Sequence, residues 1–171
     1  MALPRKLKFL NLFNDGNSYQ GVVEELTLPK LSRKLETYRG GGMNGSATVD
    51  LGLDEGALDV EFTLGGMEAQ HYRQWGLTKA DGVMLRFAGS CQRDDTSDVI
   101  AVEIVMRGRF HEFDHGTYKQ GDNTQTKISA KNTYFKLTWD GQVLIEVDTV
   151  NMVEVVNGED RLADHRRAMG L

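Results

Sequence analysis

Over long runs of this chain, apolar residues recur at every second position. Leu58, Val60, Phe62 and Leu64 alternate with Asp59, Glu61 and Thr63. Val83, Leu85 and Phe87 repeat the pattern, as do Ile100, Val102, Ile104 and Met106 in a run that reaches toward Phe110. Successive side chains of a strand point to opposite faces, so this period predicts strands with one face buried. A further run from Thr126 to Trp139 changes its apolar parity between Ile128 and Phe135, which predicts a bulge. Asp15-Gly16 and Asp140-Gly141 stand between such runs, and Asp-Gly favours the positive φ angles of a tight hairpin. A short strand around Leu26-Thr27-Leu28 stops at Pro29. Met67 to Trp75 lacks alternation and reads as a helix stopped by Gly76. The segment from Asp160 to Met169 reads as a second helix, with Asp160 as its cap, Arg166 and Arg167 in its last turn, and Gly170 as its stop. The expectation is a single domain over 1–171. It is mainly β and antiparallel, a sandwich or small barrel, with one internal helix and a short C-terminal one.

One segment breaks the pattern. Residues 32–56 contain six glycines and mixed charges, with little steady apolar face. This is too long for a routine connection, and long loops in compact domains are usually functional. It is expected to be a glycine-rich arm at about 33–55, with a short strand at Ala47 to Leu51.

The balance of 20 Lys+Arg against 25 Asp+Glu gives a formal net charge of −5 in 171 residues. General nucleic-acid binding usually leaves a basic footprint, so this charge argues against it. The single cysteine, Cys91, excludes an intrachain disulfide and a thiolate metal cage. Cys91 is expected to pack as a small hydrophobe. No secretory signal and no run of about 18 apolar residues is visible, so no membrane anchor is expected.

Several strings imitate catalytic motifs. His111-Glu112-Phe113-Asp114-His115 matches the zinc-hydrolase pattern H-E-x-x-H. That chemistry requires a helix, because only there do residues four apart converge on one ion. Here the motif continues a strand-like run, and in an extended chain those positions lie roughly 13 Å apart. A zinc hydrolase using His111 and His115 is therefore the remote alternative. Gly40-Gly41-Gly42-Met43-Asn44-Gly45 matches G-x-G-x-x-G, but an alternating, strand-like sequence follows it instead of a helix. Asn44-Gly45-Ser46 is a glycosylation sequon by pattern only. His71 and His165 are expected in packing or surface roles, and Asp94, Asp95 and Asp98 in a solvated turn. No catalytic residue, metal or cofactor is expected, and the chemistry leans toward a structural or binding role.

The strings MALPRKLK, SYQG, LTLPKL, RKLETYRGGGMNGSA, VDLGLDEGAL, RFAGSCQRDDT, AVEIVMRGR, KQGDNTQTKIS, TYFKLTWDG and VLIEVDTVNMVEVVNGEDRLADHRRAMGL occur in that order. Together they resemble the major tail tube proteins of contractile-tailed, myovirus-type temperate phages, over essentially the whole chain. They resemble the tube proteins of R-type bacteriocins more distantly. The resemblance implies two packed antiparallel sheets with a helix, similar to the type VI secretion tube protein, and a non-enzymatic virion protein. It also implies homohexameric rings stacked into a tube, with inner strands closing into one barrel. The implied partners are the tail sheath, a baseplate tube initiator, the tape measure and the tail terminator. DNA would pass through the lumen without specific binding. The implied location is the virion tail tube, and the host cytoplasm during assembly. A defective prophage or phage-tail-like bacteriocin is the alternative source.

In that light the arm is expected to carry ring stacking through Leu35, Tyr38, Arg39, Gly40, Gly41, Gly42, Met43, Asn44, Gly45, Leu51 and Leu53. It is expected to be mobile before assembly, since its glycines lose much backbone freedom on ordering. The C-terminal helix is expected to offer Arg161, Arg166 and Arg167 to a partner. Alternation nominates Asp59 and Glu61, or Glu146 and Asp148, for a lumen that does not retain DNA phosphates.

Overall fold

A computed structural model describes residues 2–171. Among these, the strands are β1 (Lys6–Asn14), β2 (Asn17–Ser18), β3 (Val23–Thr27), β4 (Arg33–Tyr38), β5 (Ala47–Leu53), β6 (Val60–Leu64), β7 (Val83–Gln92), β8 (Val99–Asp114), β9 (Thr126–Trp139), β10 (Gln142–Asp148), β11 (Val153–Val156) and β12 (Glu159–Asp160). The helices are α1 (Ala69–Arg73) and α2 (Ala163–Met169). All pairings are antiparallel.

The main sheet runs β12-β11-β10-β9-β8-β7-β1-β2, and β6 and β3 branch from β9. This branch makes the sandwich. β8 and β9 pair along nearly their whole length, but different partners flank their two halves. Residues 99–108 of β8 pair with β7, while 134–139 of β9 pair with β10 and 126–130 with β6. One layer is therefore β1-β7-β8-β9-β10-β11, and the other is the far halves of β8 and β9 with β6 and β3.

The turn between layers falls where the register slips, between Arg107 and Gly108 and again between Phe110 and Glu112. The first slip leaves Thr133 unpaired in β9, the bulge expected from the parity change. The second makes His111 the extra residue in β8. Bulges bend a strand and increase its twist. Val60, Phe62, Leu64, Leu85, Phe87, Met106, Ile128 and Phe135 from the two layers share one core cluster, with Phe62 against Phe110 at 6.4 Å between ring centroids.

Both Asp-Gly hairpins form with φ positive at both central residues, 47° and 85° at Asp15-Gly16 and 47° and 84° at Asp140-Gly141. Those angles match the strand twist and need the small or αL-tolerant residues found there. Three expectations need correction. Residues 33–53 hold the strand expected at Ala47 to Leu51, as part of β5, but the arm before it is not a long loop. They form a two-stranded sheet of β4 and β5, with a bulge at Gly52, whose φ is +102°. The strand period was hidden because, apart from Leu53 at its base, neither face of this hairpin is covered by the core. α1 is only Ala69–Arg73, shorter than the expected Met67 to Trp75. α2 begins at Ala163 with Leu162 as N-cap, so Asp160 does not cap it. Asp160 instead accepts the Leu162 amide hydrogen at 3.1 Å and pairs with Arg166.

Candidate assembly interface

The surface of the chain has three features that a lone subunit leaves uncovered. The first is the β4–β5 hairpin. Cross-strand partners share a face, so Glu36 with Val49 and Tyr38 with Ala47 lie on one side, next to Leu51, and Leu35 with Asp50 lies on the other. Leu35, Tyr38, Val49 and Leu51 are all exposed, at 46–60%. Exposed apolar residues grouped on one element mark interaction sites. At the base, Arg33 donates through Nε to Asp50 and through Nη1 to Glu154 of β11, both at 2.5 Å. The Arg33 hydrogen bond, then the Gly52 amide, hold the Asp50 carboxyl below its usual range. This fork joins the two hairpin strands to the edge of the main sheet. Leu53, at the bulge, is half-buried against the core.

The tip, residues 39–46, is a compact turn. The Met43 amide donates to the Gly40 carbonyl at 3.2 Å, and the Gly40 amide contacts Met43 Sδ at 3.1 Å. Gly42 has φ +81° and so has a specific reason to be glycine, whereas a Cβ on Gly40 would meet only the mobile end of the exposed Tyr38 side chain. Gly41 and Gly45 have open space around them. Arg39 and Asn44 are exposed. The glycine string that imitates a nucleotide motif is thus a hairpin tip with no helix after it.

The second feature is the outer edge of β1. β7 covers one side, whereas β2 covers only Phe13 and Asn14 on the other. Among the described residues, 6–11 therefore present an unpaired edge, where Phe9 is 78% exposed and Leu7 also faces solvent. Unpaired edges template pairing with another chain. In the sequence, Lys6 and Lys8 interrupt the apolar residues of this segment and hide it. The signal was present as the alternation Leu7, Phe9 against Lys6, Lys8.

The third is an aromatic end, formed by α1 and the loop after β8. Trp75 packs on Phe113 with ring centroids 5.0 Å apart, and Tyr72 meets Phe113 edge-on at 5.6 Å. Yet Trp75, Met67 and Tyr118 remain exposed. Nothing in the sequence distinguished these from core aromatics.

The C-terminal arginines separate. Arg166 donates to Asp160 and to the Met152 carbonyl, the latter at 2.7 Å, and so clamps α2 to the turn before β11. That hydrogen bond, together with the Leu162 amide, lowers the Asp160 carboxyl. Only Arg161 and Arg167 remain exposed, beside Met169 and Leu171. The nominated carboxylates lie on opposite sides of the core. Asp59 and Glu61 share the outer face of β6 with Lys131 and Lys127, at 2.5 and 3.5 Å. Glu146 and Asp148 flank buried Val147 on β10, opposite Lys136 and Tyr134.

The H-E-x-x-H string is not helical. Residues 111–114 belong to β8; His111 is exposed, and His115 stacks on Tyr72 with its Nε2 2.6 Å from the hydroxyl. Among the described residues no group of three or more His, Cys, Asp or Glu is placed to hold a metal ion. His71 is a packing residue, fully buried against Tyr72 and Phe113. Cys91 is half-buried. No helix among the described residues is long and apolar enough to cross a membrane.

The model of the family "Phage tail tube protein FII" matches residues 4–170. The chain is 59% identical to the tail tube protein of Escherichia phage P2, covering all of both chains. It is 42% identical to the major tail tube protein of Serratia phage KSP20, over 96% of this chain and 94% of that one. A 22-residue match, 77% identical, links 13% of the chain to the bacteriocin serracin-P 23 kDa subunit of Serratia plymuthica. A chain in the 6-fold symmetrised baseplate of the anti-feeding prophage has the same fold at a TM-score of 0.53. The two are 10% identical, and the match covers 81% of this chain and 95% of that one. The chain belongs to the phage tail tube protein FII family.

Proposed function

We propose that this chain is a non-enzymatic structural protein that builds the inner tube of a contractile phage tail. Homohexameric rings stack head to tail to form the tube, which conducts DNA and is driven through the host envelope when the sheath contracts. The observation that carries this reading is the match to a tail tube family over residues 4–170. The surface supports it: the open β1 edge suits strand pairing around a ring, and the uncovered hairpin suits contact between rings. Ring closure removes sheet edges, whereas head-to-tail stacking leaves an open, growing end. The tail sheath, a baseplate initiator, a tape measure and a terminator are the remaining partners, with Arg161 and Arg167 a candidate sheath contact. Only one of the two nominated carboxylate pairs can face a lumen, since they lie across the core from each other. The 22-residue bacteriocin match favours a second reading, a phage-tail-like bacteriocin or a defective prophage, in which the same tube carries no genome.

Sedimentation velocity over a broad concentration range tests this. The reading expects hexamers or larger stacks to appear as concentration rises. A strict monomer with a saturable small-molecule site would support a ligand-binding sandwich instead.

A further inference from the structure

The hairpin and the aromatic end lie at opposite ends of one strand pair. β3 and β6 are antiparallel, with Val23 opposite Leu64 and Thr27 opposite Glu61. The chain leaves Thr27 toward the hairpin and returns from it into Val60. It leaves Leu64 toward α1. β9 agrees, since Ala130 pairs with Val60 and Thr126 with Leu64. The loop that carries Tyr118 therefore joins α1 at the end away from the hairpin. Five strand residues separate the two ends by about 13 Å, while the six-residue β4 and its tip span roughly 20 Å.

We infer that the aromatic end built on Met67, Tyr72, Trp75, Phe113 and Tyr118 receives the β4–β5 hairpin of a second copy of this chain, in the next ring. This rests on the reading that the hairpin carries ring-to-ring contact, and it names the surface contacted. Each partner has apolar side chains that its own chain leaves in water: Tyr38 at 60% and Leu51 at 54% on the hairpin, Met67 at 60% and Trp75 at 59% on the receiver. Because the two surfaces differ and occupy opposite ends, a copy translated along the strand axis covers both, and the contact repeats without closing. Charge agrees. The hairpin from Arg33 to Leu53 carries Arg33, Lys34 and Arg39 against Glu36 and Asp50, whereas Glu68, Asp114 and Asp122 outnumber Arg73 and Lys119 around the receiving end. Such complementarity sets register more than affinity. The aromatic rings supply contact area, and Trp and Tyr dominate interfaces of this kind.

The test places cysteines at both ends of one chain, Tyr38→Cys with Met67→Cys in a Cys91→Ser background, and oxidises the assembled protein. Contact of the proposed kind gives a ladder of covalent oligomers on a non-reducing gel, because one chain cannot link its own two ends. Trp75→Ser should raise the concentration needed for assembly at least tenfold and leave the far-ultraviolet circular dichroism unchanged. A third variant, shortened at residues 40–46, separates the two claims. If it assembles normally, the hairpin has no stacking role, and the receiving surface falls with it. If it fails to assemble but no ladder forms and Trp75→Ser assembles as the parent does, the hairpin docks elsewhere and this inference is overturned.

Discussion

A Cβ atom built on Gly108 would lie 2.1 Å from the carbonyl oxygen of Lys131. β8 and β9 thus touch backbone to backbone where the sheet turns from one layer into the other. No side chain fits there, and the obstacle is main chain that cannot rotate away. Gly108→Ala should therefore cost about 3 kcal/mol, at the upper end of overpacking effects. Urea unfolding would show this as a lower midpoint with an unchanged slope.

His71 is completely buried, and neither ring nitrogen has a hydrogen-bond partner among the described residues. Burial, and then the neighbouring His115, lowers its pKa from 6.5 to about 4. The unfolded chain takes up a proton near pH 6.5 while the folded chain still excludes it. Stability is therefore full above that pH, falls as pH drops through the window, and levels off near pH 4. The loss is on the order of 2–3 kcal/mol. His71→Phe should flatten this slope in urea titrations between pH 7 and 4. An unchanged slope would place the titrating group elsewhere.

The fork from Arg33 to Asp50 and Glu154 is well over a third exposed at its Asp50 end, so its value lies in position more than in energy. Arg33→Ala should change global stability by less than about 1 kcal/mol. Hydrogen exchange in residues 33–53 should nevertheless accelerate, since a two-stranded hairpin without a third strand is marginal in water. Assembly should protect the same amides in the parent protein. Equal protection before and after assembly would remove ordering of the hairpin from the account.

The H-E-x-x-H string lies in a strand, with His115 engaged by Tyr72. Purified protein is expected to carry no stoichiometric zinc. Metal analysis of the parent beside His111→Ala checks this, and bound zinc lost in the variant would contradict it.

Legibility in the sequence followed burial. Alternation at Leu58 to Leu64 and Ile100 to Met106 marked strands whose inner faces meet a core. The two Asp-Gly pairs marked turns whose backbone demands them. The parity change after Ile128 marked the bulge, though nothing showed that the bulge turns the sheet into a second layer. That depends on the pairing of β9 with two different neighbours. The β4–β5 hairpin was obscure for the opposite reason: with little core beneath it, Leu35 and Tyr38 fall on opposite faces of β4, and only Val49 and Leu51 alternate. Its place in a candidate interface was legible from length and glycine content. The aromatic end was not, because Trp75 and Tyr118 in water look like buried aromatics when only the sequence is read. Arg166 showed the converse error, a charged residue counted as surface that is spent on Asp160.

Negative-stain electron microscopy of the concentrated protein tests most directly whether single chains build a hollow tube. The parent protein should show six-fold rings end-on and tubes from the side. A variant shortened at residues 40–46 should stay folded and give isolated rings or subunits. Monomers alone in the parent sample across the whole concentration range, with no rings or tubes, would contradict the account.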